Sequence, residues 1–292
     1  MRVFVTGGSG QLGSEVVSAF AGHRVVAPDQ ADFDLASRDS VLQGITSMAP
    51  DVVVHAAAWT DVDGCEQDPD RAFLVNAFGT RHVAEAARIV GARVVYVSTD
   101  YVFPGDSGRP YDEWDATGPI SVYGRSKLGG EHELDPGSTI VRTSWVCGRH
   151  GRNFVKTMLR AASAPPPEGL AVVDDQHGCP TFADDLATAV ARLTVARLPG
   201  VFHVTNEGRT TWFEFARDII AAAGGDPDVV RPIATADLRP ARPAPRPAWS
   251  VLDNAALRLA GLPLLPHYRE SLDRLVAELT GRRAATAAPA AP

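Results

Sequence analysis

Two stretches of the chain carry hydroxyl, phenol and amine side chains in an order suited to carbonyl reduction. Ser98-Thr99-Asp100-Tyr101-Val102-Phe103 closes an apolar run, and Tyr123-Gly124-Arg125-Ser126-Lys127 follows as Tyr-x-x-x-Lys at the start of a helical pattern. Residues i and i+4 share a helix face, so the Lys127 ammonium is expected beside the Tyr123 phenol. A free phenol has a pKa of about 10, and a neighbouring cation lowers it toward working pH. When hydride reaches a carbonyl carbon, the oxygen becomes an alkoxide that must be protonated. On this reading Tyr123 donates the proton, Lys127 tunes it and holds a nicotinamide ribose, and Thr99 hydrogen-bonds the carbonyl oxygen. Tyr-x-x-x-Lys alone is common on surface helices; here its force comes from its place after a glycine loop and a strand-end hydroxyl.

That glycine loop is Thr6-Gly7-Gly8-Ser9-Gly10-Gln11-Leu12-Gly13, spaced Gly-x-x-Gly-x-x-Gly between an apolar run and a helical stretch. In isolation such a triplet is an ordinary turn. Opening a chain of βα units, it reads as a dinucleotide cradle: Gly7 for the tight turn, Gly10 for close approach of amides to a pyrophosphate, Gly13 for helix-on-strand packing. The pyrophosphate then meets the free N–H groups of a helix N-terminus, with Gln11 and Leu12 in the first turn. Asp29, after the second apolar run, is either a ribose ligand or a solvated loop carboxylate. With no arginine before Arg38 there is no clear clamp for a 2′-phosphate, and the cofactor is left as NADPH or NADH. Asp34-Leu35 is placed to reach the adenine, and the small residues Ala56-Ala57-Ala58 suit a strand end lying against a flat cofactor.

The elements that must position these residues are βαβ units. Apolar runs at Arg2–Thr6, Arg24–Ala27, Asp51–His55, Arg93–Ser98 and Ser138–Arg142 alternate with helical stretches at Gln11–Phe20, Ser37–Met48, Pro69–Val90 and Val122–Leu134. Continuous apolar strands such as Val52-Val53-Val54 fit burial on both faces, hence an α/β fold with a doubly wound parallel Rossmann-type sheet. The second half is less regular. Leu170–Val173 and Gly200–Val204 read as strands, Ala183–Ala196 as a helix opened by Asp184-Asp185, and the chain from Thr210 as mainly helical. We expect a dinucleotide-binding domain over 1–145, returning at about 175–205, and a smaller, mainly helical substrate lobe from 146–174 and 206–282. A disordered Ala/Pro-rich tail is expected over 283–292.

Composition limits the partners. The 292 residues are 45% hydrophobic and 22% charged, as in an ordinary packed globule, and their formal net charge of -7 argues against nucleic acid. Cys65, Cys147 and Cys179 are too few and too scattered for a disulfide framework or a metal motif and read as small buried residues. The apolar N-terminal run is too short for a signal or a membrane span, so a cytoplasmic protein is expected. No motif sets the oligomeric state, and a homodimer is compatible with everything above.

The glycine loop, the strand-end hydroxyl and the Tyr-x-x-x-Lys together resemble the extended short-chain dehydrogenase/reductase family. Within it the resemblance is to the branch that makes dTDP-L-rhamnose, and it spans nearly the whole chain. The blocks that carry it include Asp51–Asp63, Val97–Gly105, Val122–Glu131, Val141–Val146, Asn153–Leu159, Asp174–Thr181, Thr210–Trp212 and Arg246–Asp253. It implies hydride transfer from NADPH or NADH to C4 of dTDP-4-dehydro-L-rhamnose, with Thr99, Tyr123 and Lys127 catalytic. It also implies Thr60, Val62, Thr99, Asp100, Tyr101 and Trp145 in the sugar pocket, and Arg246 in a late substrate loop. Some relatives hold Mg²⁺ between two subunits through acidic residues; Glu15, Asp184 and Glu278 fall at matching places, but Asp184 is short and no metal is assigned. Three other readings stay open: a sibling 4-ketoreductase for another nucleotide deoxysugar, a sugar-nucleotide epimerase, and a non-catalytic subunit resembling the methionine adenosyltransferase β subunit.

Overall fold

The apolar runs of the first half become one parallel sheet. The computed structural model describes residues 1–281, so the tail expected over 283–292 lies outside the described residues. Strands β1 (Arg2–Thr6), β2 (Arg24–Val26), β3 (Val52–His55), β4 (Arg93–Thr99) and β5 (Thr139–Thr143) pair in the order β2-β1-β3-β4-β5. The run at Gly200–His203 supplies the sixth strand, alongside β5. Every neighbouring pair is parallel, with Phe4 opposite Val53 and Val53 opposite Val94.

Alternation explains why the strands are apolar throughout. Val3, Val5, Val52, Val54 and Val95 face helices α1 (Gln11–Ala19) and a later helix at Ala183–Ala196, through Val16, Phe20, Leu186, Val190 and Leu193. Phe4, Val53, Val94 and Tyr96 point the other way, onto Val41 and Ile45 of α2 (Arg38–Met48) and onto Val83, Ala86 and Ala87 of a helix at Gly79–Val90. Each side chain so buried contributes about 1.5–3 kcal/mol, and helices on both faces make the sheet doubly wound. After β2 the chain crosses to the far side of β1, so the β1/β3 boundary is the topological switch point, where ligands of such sheets bind.

The stretch read as one helix over Pro69–Val90 is broken. Helices α3 (Val62–Gln67) and α4 (Pro69–Phe73) lead into a π-helical turn at Leu74–Phe78, and only then α5 (Gly79–Val90). The turn presents Asn76, 2% exposed, whose amide spans to the Trp59 backbone at 2.8 and 3.1 Å and to Ser126 Oγ at 2.9 Å. Helix α6 (Val122–His132) is capped by Ser121, whose Oγ accepts from Gly124 N at 3.1 Å.

The remaining elements pack around a separate cluster of Val155, Phe182, Phe215, Ile219, Tyr268 and Leu272. They include β6 (Val146–Cys147), α7 (Phe154–Ala162), β7 (Leu170–Val173), β8 (His177–Gly178) and β9 (Thr181–Phe182), after which α8 (Ala183–Ala196) returns to the face of the large sheet. Beyond β10 (Gly200–His203) follow β11 (Thr210–Thr211), α9 (Trp212–Ala222), β12 (Val230–Ile233), α10 (Ala255–Leu259) and α11 (Tyr268–Thr280). The strand expected at Leu170–Val173 is present, but it pairs with β12 in a two-stranded sheet of its own. No helix among the described residues is long and apolar enough to cross a membrane.

Candidate active site

A cleft of about 800 Å³ opens along the carboxyl ends of β1, β3, β4 and β5. Its floor is the glycine loop. Gly7 has φ +70°, and a Cβ there would sit 2.9 Å from Ala57 Cα; one on Gly13 would sit 1.9 Å from Gly7 O. The space the loop leaves is therefore backbone-shaped. Gly10 is the N-cap of α1 and supplies no side-chain cap, so the first amides of the helix stay free for an anion. These features fit a dinucleotide.

A buried relay fixes the facing strand end. Thr6 Oγ1 lies 2.7 Å from His55 Nδ1 and accepts from Ala57 N at 3.1 Å, while His55 Nε2 lies 3.1 Å from Thr80 Oγ1. Burial, and then the charge of Lys127, push the His55 pKa down to about 3, so the ring is neutral and holds the turn through Ala56, Ala57 and Ala58.

The catalytic candidates meet on the opposite wall. Gly124 lets α6 lie against the Thr99–Val102 turn, since a Cβ there would reach within 2.2 Å of Tyr101 O. Tyr123 packs edge-on to Tyr101 at 5.6 Å, and Lys127 Nζ donates to Val97 O at 2.7 Å, 4.0 Å from the Tyr96 ring centroid. Thr99 Oγ1 donates to Asp100 Oδ1 at 3.0 Å and accepts from Tyr101 N at 3.2 Å. Burial is the largest influence on the phenol and on the lysine. Burial raises the Tyr123 pKa well above the ordinary phenol value, with the Thr99 hydroxyl pulling the other way, and burial drops Lys127 to about 7 against the opposing pull of Glu131. Desolvation disfavours the charged form of each.

Beneath this wall lies a pair the sequence did not disclose. Glu131 and Arg142 form a buried ion pair, Nη2–Oε2 2.7 Å, and Ser98 Oγ donates to Glu131 Oε1 at 2.5 Å. Asp100 is 1% exposed, and burial lifts its pKa to about 7 against the opposing pull of the Ser250 and Thr99 hydroxyls.

Of the residues singled out from sequence, Gly7, Gly10, Gln11, Leu12, Gly13, Asp34, Leu35 and Ala56–Ala58 line the cleft. So do Thr60, Val62, Thr99, Asp100, Tyr101, Tyr123, Lys127 and Trp145. The Gln11 amide group is itself occupied, donating to Val146 O at 2.8 Å and accepting from Asn153 Nδ2 at 2.7 Å. Two placements are corrected. Asp29 is exposed and does not line the cleft, whereas its neighbours Pro28 and Gln30 do. Arg246 is not among the residues lining the cleft and clasps Asp63 instead, at 2.7 and 3.0 Å, tying the late loop to α3. Sequence reasoning missed Arg71, Arg152 and Trp212, which line the cleft. Trp212 stacks on Trp145 at 3.6 Å and 10°, and Trp145 holds the left-handed φ of +47°.

Within this chain the three acidic residues are paired with arginines. Arg149 grips Glu15 at 2.7 Å and reaches Glu278 at 3.6 Å, while Arg274 holds Asp184 at 3.0 Å and Asp185 at 2.8 Å. Guanidinium groups already neutralise these carboxylates, and no cluster with metal-holding spacing occurs among the described residues. The three cysteines are buried free thiols, with burial raising Cys65 and Cys179 to about 11 and Cys147 to about 12.

Residues 1–281 match the RmlD substrate binding domain family. A dTDP-4-dehydrorhamnose reductase of Streptomyces griseus is 43% identical, with 96% of this chain and 95% of that protein covered. A dTDP-4-keto-6-deoxy-D-glucose reductase of Streptomyces niveus is 40% identical over 93% of this chain and 95% of its own length. Among solved structures, the Bacillus anthracis dTDP-4-dehydrorhamnose reductase in complex with NADP superimposes with a TM-score of 0.90 at 39% identity, covering 95% of this chain and 99% of the other.

Proposed function

This chain belongs to the RmlD substrate binding domain family, and on that premise we propose that it reduces the C4 keto group of dTDP-4-dehydro-L-rhamnose to give dTDP-L-rhamnose. It is an NAD(P)H-dependent oxidoreductase. The observation that carries the proposal is the convergence, in one cleft, of a backbone cradle for a dinucleotide with Thr99, Tyr123 and Lys127. Gly7, Gly10, Leu12, Gly13, Asp34, Leu35, the turn at Ala56–Ala58, Tyr123 and Lys127 would hold the cofactor. A reduced nicotinamide bound there supplies the hydride.

The side chains supply the rest. Burial keeps the Tyr123 phenol protonated, so its proton is available when negative charge develops on the C4 oxygen. Lys127, with a pKa of about 7, gains its full charge as anionic groups enter the cleft, and that charge then stabilises the phenolate that Tyr123 leaves behind. Thr99 spends its own proton on Asp100 while that carboxylate is ionised. When Asp100 is protonated the bond reverses, and the Thr99 hydrogen is freed for the carbonyl oxygen. Thr60, Val62, Tyr101 and Trp145 form the sugar end. We also propose the lobe built on α7, α9 and α11 as the substrate lobe, and a cytoplasmic location, which the cofactor and nucleotide-sugar chemistry support.

The Streptomyces niveus relative favours a second reading, a 4-ketoreductase for a different dTDP-deoxysugar. Incubating the protein with NADPH, and separately NADH, and dTDP-4-dehydro-L-rhamnose, then reading the product by NMR, separates the two. Cofactor oxidation with formation of dTDP-L-rhamnose is the expected result. Turnover of other 4-keto sugars with none of this one would establish the sibling reading. Absence of turnover with every keto sugar by folded protein would favour a non-catalytic role.

A further inference from the structure

Four basic side chains sit in the loop after β6 and the first turn of α7, and three of them are occupied. Arg149 is committed to Glu15 at 2.7 Å, His150 faces Glu15 at 3.6 Å, and Lys156 caps the backbone carbonyls of Arg149 and Gly151. The fourth, Arg152, lines the cleft and has no hydrogen bond or ion pair with any described residue. An arginine left unpaired in a loop that pairs its other cations is available to a ligand, and the ligand must be anionic.

The loop's anchorage shows which anion. Asn153 donates to Gln11 Oε1 at 2.7 Å and to Gly148 O at 2.6 Å, and a Cβ on Gly151 would lie 3.5 Å from Gln11 Cβ. Gln11 is the first residue of α1. The residue beside Arg152 thus rests on the helix start that, with the glycine loop, faces the pyrophosphate, and the adenosine end of the cleft is marked by other residues, Pro28, Gln30, Phe33 and Asp34. With a chain charge of -7, binding a dinegative pyrophosphate calls for a local cation, and helix amides alone carry only partial charge.

We infer that Arg152 closes over the cofactor's pyrophosphate beside the start of α1, a strap that sets dinucleotide affinity without touching the reacting carbon. The inference rests on the reading of the cleft as a dinucleotide site. Because the pyrophosphate is common to both cofactors, the strap contributes equally to NADPH and NADH.

The test is direct titration of each cofactor, without sugar nucleotide, into the wild type, Arg152→Ala and Arg152→Lys, followed by the fluorescence of the reduced nicotinamide. Loss of a charge-assisted hydrogen bond at an exposed site predicts that Arg152→Ala weakens NADPH and NADH alike by about tenfold. Arg152→Lys restores part of that loss, and saturating turnover stays within about twofold of wild type. Unchanged affinity for both cofactors overturns the inference. Weakening confined to NADPH overturns it in favour of a 2′-phosphate contact, and a rise confined to the sugar-nucleotide KM overturns it in favour of the substrate's own pyrophosphate. A wild type that binds neither cofactor would overturn the dinucleotide reading itself.

Discussion

The two sides of the cleft are held by different physics. On the glycine-loop side the site is backbone: Gly7, Gly10 and Gly13 make room, free amides at the start of α1 supply the attraction, and the buried Thr6–His55–Thr80 relay fixes the opposite turn. On the catalytic side the site is side chain. Tyr123, Lys127, Thr99 and Asp100 are buried together, with Glu131 and Arg142 beneath them and Trp145 propped on Trp212. A backbone site tolerates no added atom but needs no tuned proton. A side-chain site tolerates isosteric change yet depends on desolvated charges, whose cost is met only by their partners.

The sharpest way to break this contrast is Gly13→Ala. With Gly7 O only 1.9 Å from the new Cβ, the loop must shift, and titration with NADPH is expected to show affinity down by more than about a thousandfold, roughly 4 kcal/mol. Affinity within tenfold of wild type would show that the cradle is not shaped by backbone. Next in size is Glu131→Gln, which keeps the volume but leaves the Arg142 guanidinium buried without its counter-charge. Urea denaturation should register a loss of about 3–5 kcal/mol, with cofactor affinity in the surviving folded protein little changed.

Asp100→Asn tests the catalytic side through pH. Burial raises the folded-state pKa of Asp100 from 3.8 to about 7, so between those values the folded protein binds more protons than the unfolded chain. Wild-type stability therefore carries a penalty that is absent below about pH 4, grows as pH rises, and is complete above about pH 7. With Thr99 now donating to a neutral rather than a charged acceptor, the variant should be about 2–3 kcal/mol more stable than wild type at pH 8 and no more stable at pH 4. Equal melting temperatures at both pH values would remove the buried charge from the account. The smallest expected effect is that of Trp212→Ala. Losing one stacked indole is worth about 0.5–1.5 kcal/mol, so the sugar-nucleotide KM should rise about three- to tenfold while the cofactor KM holds. A change in the cofactor KM instead would place the tryptophan pair on the wrong side of the comparison.

The same contrast decides what the sequence discloses. The glycine loop, the strands with Val52-Val53-Val54 at their heart, and Tyr123 with Lys127 are local patterns, and each falls where its spacing put it. Side chains that act through distant partners left no such trace. Nothing within Leu74–Phe78 announces a π-helical turn, because the turn is fixed by Asn76 reaching the Trp59 backbone and Ser126. Arg246 offers a substrate ligand by position in the chain, but Asp63, far away in sequence, claims it. The rule that a nearby cation lowers a phenol's pKa is sound for groups in water; at Tyr123 burial reverses it. Asp29 shows the converse, a plausible local pattern on a loop that turns its neighbours inward instead.

The central claim is that Tyr123 gives the proton that completes reduction of the C4 carbonyl. Its most direct test is a stopped-flow comparison of wild type with Tyr123→Phe, mixing each NADPH-loaded protein with dTDP-4-dehydro-L-rhamnose and following nicotinamide absorbance. The account predicts, at saturating NADPH, an oxidation rate lower by on the order of a hundredfold or more, as loss of a general acid requires. Oxidation at the wild-type rate by the phenylalanine variant would contradict it.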